Sequence, residues 1–217
     1  MLKPFEDALL QLLNALYGVT HSYGLSIILL TVLVRVALLP LTVKQTKAQI
    51  DLQRIQPKVK ELQKKYQKDK EKLQEELMKL YAEHKVNPFG GCLPLIVQLP
   101  IFWALFRMLI ANKDIAKVGF LFIPSLGARP ADFGFGVAGI AYLFLLALLV
   151  ITSYLPSRML SNDPQQQTTM VIMSGLMAFI GWSLPGGVLL YWVTTNLLTL
   201  IQQYVQLKVV ERGTSEQ

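Results

Sequence analysis

The stretch GLSIILLTVLVRVALLPL, residues 24–41, decides the fold. It has the composition of a membrane span, yet Arg35 stands two thirds of the way along it. An arginine deep in a bilayer helix costs roughly 2.5–3.5 kcal/mol on insertion scales, so it faces a bundle interior or a water-filled cavity and not lipid. Pro40, with no N–H and a fixed φ, suits a break at the membrane exit.

Composition agrees with that reading. The 217 residues are 53% hydrophobic with a mean hydropathy of +0.41, outside the range of an ordinary soluble domain. Several apolar runs reach 17 residues or more, the length needed to cross about 30 Å of hydrocarbon. The fold class read from this is an all-α polytopic membrane protein with five transmembrane helices. The single Cys92 excludes an intramolecular disulfide framework, and no Cys/His cluster suggests a metal. Cys92 itself reads as a small apolar residue where a helix begins. No cleavable signal is expected, because MLKPFEDALLQLLNALYGV carries acidic residues and lacks a small-residue cleavage site.

Residues 1–18 place Phe5, Leu9, Leu12, Leu13 and Leu16 at helical spacing, the pattern of an amphipathic helix lying in the membrane interface. Tyr17, His21 and Tyr23 follow where interfacial aromatics belong. Residues 19–43 form the first transmembrane segment. Residues 44–86 are polar and charged, with apolar stripes at Leu52, Ile55, Val59, Leu62 and Tyr66, and at Leu73, Leu77 and Leu80. Two such stripes bury against each other in an antiparallel helical hairpin with a turn near residues 67–69, and Pro57 is expected to bend or break the first helix.

VNPFGGCLPL, residues 86–95, is rich in breakers and ends the hairpin. Residues 87–112 hold the second span, with Gln98 at membrane depth and Arg107 placed to snorkel at its far end. An extracytoplasmic loop occupies residues 113–134, with the apolar patch GFLFIP. Residues 135–206 contain spans three to five, the third and fourth joined by a cytoplasmic loop at 157–167, where Asn162-Asp163-Pro164 reads as a turn. Residues 207–217 form a cytoplasmic tail whose end, ERGTSEQ, is expected to be disordered.

Twelve of the 21 basic residues lie in residues 44–85, beside seven acidic ones, a local net charge of +5. Basic segments next to spans mark the cytoplasmic side, which puts the N-terminus outside and the C-terminus in the cytoplasm. Lys113, Lys117 and Arg129 dissent. The hairpin reads equally as a docking platform for partners or anionic headgroups and as a solvated helical face.

No Asp or Glu falls inside a predicted span, and neither HExxH nor a GxxxxGK[ST] loop is present, so an enzyme is not expected. The polar groups inside the spans are Thr31 and Arg35, four apart on one helix face, with Gln98, Tyr191, Trp192, Thr194, Thr195 and Asn196. Lacking a carboxylate partner, Arg35 needs backbone carbonyls, water or a visiting anionic group. Two functions follow from that need: a site that helps polar segments into the membrane, or an anion-binding channel or carrier.

The run GLSIILLTVLVR…PLT, then QPKVKELQKKY, VNPFGGCLPLIVQLPIF, NDPQQQ and PGGVLLYWVTTNLLTLIQQ resembles the YidC family of membrane protein insertases, with the segments in family order over nearly the whole chain. The resemblance implies a five-helix core that inserts and helps fold integral membrane proteins, alone or with the Sec translocon, in the bacterial inner membrane and with no cofactor. It implies a positively charged groove open to the cytoplasm, with Arg35 as the groove arginine, Thr31 as a substrate-contacting threonine, Gln98 as the groove glutamine and Trp192 as the aromatic that meets substrates. Tyr191 and Asn196 join this candidate set from the last span. The implied partners are newly made membrane proteins, the ribosome and the Sec translocon through the hairpin, and lipids; nucleic acid is not among them. The large extracytoplasmic domain and extra N-terminal span of some relatives are not seen in this sequence. Nor is a long basic tail, so ribosome contact through the tail is not expected.

Overall fold

A computed structural model describes residues 3–87, 93–160 and 164–215. Among them the regular structure is helical: α1 (Lys3–Thr20), α2 (Tyr23–Ala37), α3 (Leu39–Lys65), α4 (Lys70–Glu83), α5 (Leu93–Ala111), α6 (Lys113–Lys117), α7 (Pro130–Phe133), α8 (Val137–Leu160), α9 (Pro164–Gly181) and α10 (Gly186–Ser215), with a longer non-helical loop over residues 118–129. Two compact units result, one of residues 1–38 with 98–217 and one of residues 39–97. Pro88, Gly90-Gly91, Cys92 and the Asn162-Asp163 turn lie outside the described residues.

The first segment is shorter than its sequence suggests. The span expected over residues 19–43 is divided: α1 runs through Thr20, α2 begins at Tyr23, and α2 closes at Leu38, whose N–H reaches Val34 O. Pro40 explains the position of this break. It cannot donate to the carbonyl four residues back, but it is tolerated in the first turn of a new helix, where no donor is needed. α3 therefore starts at Leu39.

α1 and α2 meet at an elbow. His21 takes a left-handed φ of 52°, the Tyr17 and Tyr23 rings stack with centroids 4.0 Å apart, and the Thr20 and Ser26 hydroxyls lie 2.8 Å from each other. The buried residues of α1 are Leu9 and Leu13, while Leu12 is exposed. The Phe5 side chain is outside the described set. Arg107 of α5 does more than snorkel, because its guanidinium lies 3.6 Å from the Glu6 carboxylate of α1.

α10 packs against α8 and α2, and α9 packs on α8. The long helices are two-faced. On α2, Ile27, Leu30 and Thr31 are buried while Leu25, Leu29, Leu33 and Val36 are exposed. On α8, Tyr142, Leu145, Leu149 and Thr152 are buried while Val137, Ile140, Phe144, Ile151 and Leu155 are exposed. Each set recurs at three- and four-residue spacing, so each is one helical face. Continuous exposed apolar faces on several helices would be insoluble in water and suit a hydrocarbon solvent. By length and composition α8 is an unbroken candidate span over Val137–Leu155, whereas α2 qualifies only as a broken pair with α3. Gln98–Ala111 and Gln167–Gly181 are shorter apolar helices. α10 has 30 residues, but Thr194, Thr195, Asn196, Gln202 and Gln203 dilute its apolar character.

The loop between α5 and α8 carries part of the core. It is not a solvated connector, for Ile115, Ile123 and Leu126 are fully buried in the core. Its carbonyls cap the start of α10: Gly186 N–H donates to Ala128 O at 2.9 Å and Gly187 N–H to Leu126 O at 2.7 Å. These satisfy donors that every helix N-terminus leaves unpaired. A Cβ on Gly187 would sit 2.8 Å from Leu109 Cδ1, and one on Gly186 would sit 2.9 Å from the Tyr142 ring, which accounts for the glycine pair. At the other side of the loop, a Cβ on Gly24 would stand 2.0 Å from the Phe120 ring.

In the second unit α3 and α4 pack as a hairpin, with Ile55, Val59 and Leu80 buried. Asp69 caps α4, accepting from Lys72 N–H at 3.0 Å. Pro57 does not interrupt α3, which is continuous to Lys65. Pro57 is exposed, and the Gln53 carbonyl it leaves without a donor can turn to water. On exposed α4 the hydrogen bond from Lys79 holds the Glu75 carboxyl below its usual range. No proline follows Pro185, and α10 continues to Ser215, into the ERGTSEQ tail, whose last two residues lie outside the described set.

Tyr142 is the bolt of the loop, its hydroxyl donating to Ser125 O at 2.7 Å and accepting from Ser125 N–H at 3.2 Å. Tyr142→Phe strands both backbone groups and is expected to destabilise the fold by about 1–3 kcal/mol. Thermal unfolding in detergent measures this; an unchanged Tm would show that the bolt carries no weight.

Candidate functional site

The inward row of α2 reads Ile27, Thr31, Arg35, each one turn from the last, directly opposite the exposed row of leucines. The rotation of α2 therefore points Arg35 into the bundle. Its guanidinium is partly buried and donates through Nη2 to the Thr195 carbonyl of α10 at 3.3 Å. Among the described residues no carboxylate lies within ion-pair distance of it. A guanidinium has five N–H donors, and one carbonyl cannot satisfy them.

α10 supplies the facing wall. Tyr191 and Thr195 are one turn apart and both buried. The Gln98 side-chain N–H of α5 donates to the Tyr191 hydroxyl. The Thr195 carbonyl also accepts from the Thr199 hydroxyl at 2.8 Å, so two side-chain donors draw on one backbone oxygen. Three helices thus contribute polar groups to one run: Arg35 from α2, Gln98 from α5, and the Tyr191–Thr195–Thr199 row from α10.

The remaining sequence candidates lie at the margins of this group or outside it. Thr31 belongs to the Arg35 row, but it is 1% exposed and its hydroxyl donates to Ile27 O at 2.6 Å, so its polar capacity is used within α2. Trp192 is half-buried and meets Phe102 of α5 edge to face, with centroids 5.6 Å apart. It extends the α5–α10 contact as an aromatic ledge. Asn196 is not brought to Arg35. Its amide donates to Thr152 at 3.3 Å and Ser153 at 2.9 Å on α8. One residue is 100° of helical rotation, which carries Asn196 away from the Thr195 face. Sequence reasoning missed Thr152 and Ser153, although an adjacent Thr-Ser pair inside an apolar helix is a readable signal that a polar partner faces it. It also missed the Thr195 carbonyl, because a backbone acceptor leaves no mark in a side-chain pattern.

With this geometry established, comparison with known proteins identifies the lineage. Residues 15–213 match the family model described as 60Kd inner membrane protein. A membrane protein insertase YidC of Caldanaerobacter subterraneus is 40% identical over 195 residues, covering 90% of each chain.

The chain belongs to the YidC family of membrane protein insertases.

A YidC of Endomicrobium trichonymphae is 38% identical over 88% of this chain, but the match spans only 37% of that relative. The crystal structure of an active YidC insertase, with its first transmembrane domain resolved, superposes with a TM-score of 0.76 at 34% identity. That match covers 93% of this chain and 46% of the crystallised one. The chain therefore spans less than half of the longer YidC proteins and nearly the whole of the shorter one. Family membership makes it an all-α membrane protein of the bacterial inner-membrane class.

The Gln98–Tyr191 hydrogen bond joins α5 to α10 beside Arg35. Tyr191→Phe leaves the partly buried Gln98 amide without its acceptor, and Gln98→Leu removes the donor. Unfolding of the two single variants and the double variant should give a coupling of about 0.5–3 kcal/mol. Strictly additive losses would mean that the pair is not formed.

Proposed function

We propose that this chain is a membrane protein insertase that shelters the polar end of an incoming segment beside Arg35. The observation that carries the reading is a partly buried guanidinium with one carbonyl partner and no carboxylate among the described residues. Its spare donors hold water, or an acidic group of the substrate, inside the bundle. Moving a polar or charged group through hydrocarbon unaided costs many kcal/mol. A hydrated, positively charged groove open to the cytoplasm and inner leaflet shortens that dry path. Arg35 and Gln98 with the Tyr191–Thr195 row would line it, and Thr31 and the Trp192 ledge would flank it. Asn196 acts outside the groove, pairing α10 with α8.

The apolar part of the substrate would slide along the exposed faces of α2 and α10 into lipid. Burial in lipid and the membrane potential drive the process, so no catalytic step and no cofactor are assigned. The apolar helices α2, α5, α8, α9 and α10 are the five spans in this reading. The basic hairpin and C-terminus are cytoplasmic, the N-terminus is outside, and the hairpin is the docking element for ribosome or Sec translocon.

The test is reconstitution with a single-span substrate whose translocated tail carries acidic residues. Arg35→Ala is expected to abolish most protease-protected insertion, whereas Arg35→Lys, which keeps a charge but loses the planar fork, retains part of it. Full insertion by Arg35→Ala would overturn the proposal.

A further inference from the structure

The tip of the loop between α5 and α8 has one feature that insertion at Arg35 does not use. Phe120 and Ile123 close a tight turn, Phe120 N–H reaching Ile123 O at 2.9 Å and Ile123 N–H reaching Phe120 O at 2.8 Å. Between them stand Leu121, 82% exposed, and Phe122, 44% exposed. Leu121 adopts φ 52°, a conformation that a leucine rarely takes. The strain is held by the two flanking hydrogen bonds and by the Phe120 ring wedged against Gly24. Two large apolar side chains are thus presented outward at a conformational cost, which makes no sense for a tip projecting into water.

The position of the tip along α8 points to its surroundings. The Phe122 ring meets Phe144 edge to face, with centroids 5.2 Å apart and planes at 79°. Phe144 belongs to the exposed row of α8, and it lies seven residues inside the apolar stretch Val137–Leu155. At 1.5 Å per residue, that is about 10 Å in from the helix start. Phe122 therefore continues the lipid-facing surface of a membrane-length helix. The exposed row of α8 beside it, Val137, Ile140 and Phe144, is wholly apolar.

We propose that Leu121 and Phe122 are inserted among the acyl chains of the adjoining leaflet, so that this loop is a membrane wedge and not an aqueous connector. The turn suits the task. Its two hydrogen bonds pair four of the backbone groups that hydrocarbon would not tolerate unpaired, and the side chains reach deeper than the backbone. The wedge would fix the depth and rotation of the bundle at the end of α2 remote from Arg35, since Gly24 and Arg35 are three helical turns apart.

Site-directed spin labelling in lipid vesicles tests this without removing an apolar contact of the core. In a Cys92→Ser background, a nitroxide at Leu121→Cys is compared with labels at Ile140→Cys on the exposed row of α8 and at exposed Lys117→Cys. The expected result is an oxygen-to-nickel-chelate accessibility ratio at 121 close to that at 140 and several-fold above that at 117. The unlabelled Leu121→Cys thiol should also react with a membrane-impermeant maleimide several-fold more slowly than Lys117→Cys. A ratio and a reaction rate matching those at 117 would place the tip in water and overturn the proposal. Occlusion from both oxygen and the chelate would place it in a contact between copies of the chain, and would equally overturn it.

Discussion

A guanidinium cannot be left facing hydrocarbon, and this one constraint orients the rest of the core. Once Arg35 is turned toward α10, the rotation of α2 is settled. Ile27, Leu30 and Thr31 must then be interior, and Leu25, Leu29, Leu33 and Val36 must meet lipid, as their burial shows. The Thr195 carbonyl that receives the arginine belongs to the helix that also packs against α8. A single polar requirement is passed from α2 to α10, and α10 passes it to α8 through Asn196 and the Thr152-Ser153 pair. Polar groups in this bundle act as register marks between helices whose apolar faces could otherwise slide.

The two ends of the bundle solve the problem of backbone polarity differently. At the end formed by the α5–α8 loop, main-chain groups meet main-chain groups. Gly186 and Gly187 bring the α10 N-terminus close enough for the loop carbonyls to cap it, and Tyr142 ties down Ser125. Around Arg35 the opposite holds, for a cation with five donors meets one shared carbonyl. The loop end is held by main-chain pairing, whereas the Arg35 guanidinium keeps donors without partners among the described residues.

Much of this was legible in the sequence. Arg35 within residues 24–41 required an interior face, and the two apolar stripes of residues 44–86 required a hairpin, because both arguments rest on side-chain chemistry at fixed helical spacing. What was not legible depended on the backbone or on contacts distant in sequence. Pro40 read as the end of a span, whereas its effect reaches back and closes α2 at Leu38. GFLFIP read as an apolar patch on a loop, since no local pattern reports that Ile123 and Leu126 fill the core. Asn196 read as a groove residue because it is polar and near Thr195. Only the helical phase and the Thr152-Ser153 pair reveal that it faces elsewhere.

The bond between Arg35 and the Thr195 carbonyl joins residues 160 positions apart in the chain. A polypeptide made from its N-terminus exposes α2 and its arginine long before α10 exists to receive it. The loop carbonyls of Leu126 and Ala128 likewise wait for Gly186 and Gly187. During its own synthesis the protein is therefore a membrane segment with an unmet polar demand. α10 completes the bundle and satisfies several earlier hydrogen-bonding groups at once. Such late, long-range closure slows folding, because distant ends must meet before the contact rewards them. The order of synthesis is thus written into the architecture, with α10 as keystone.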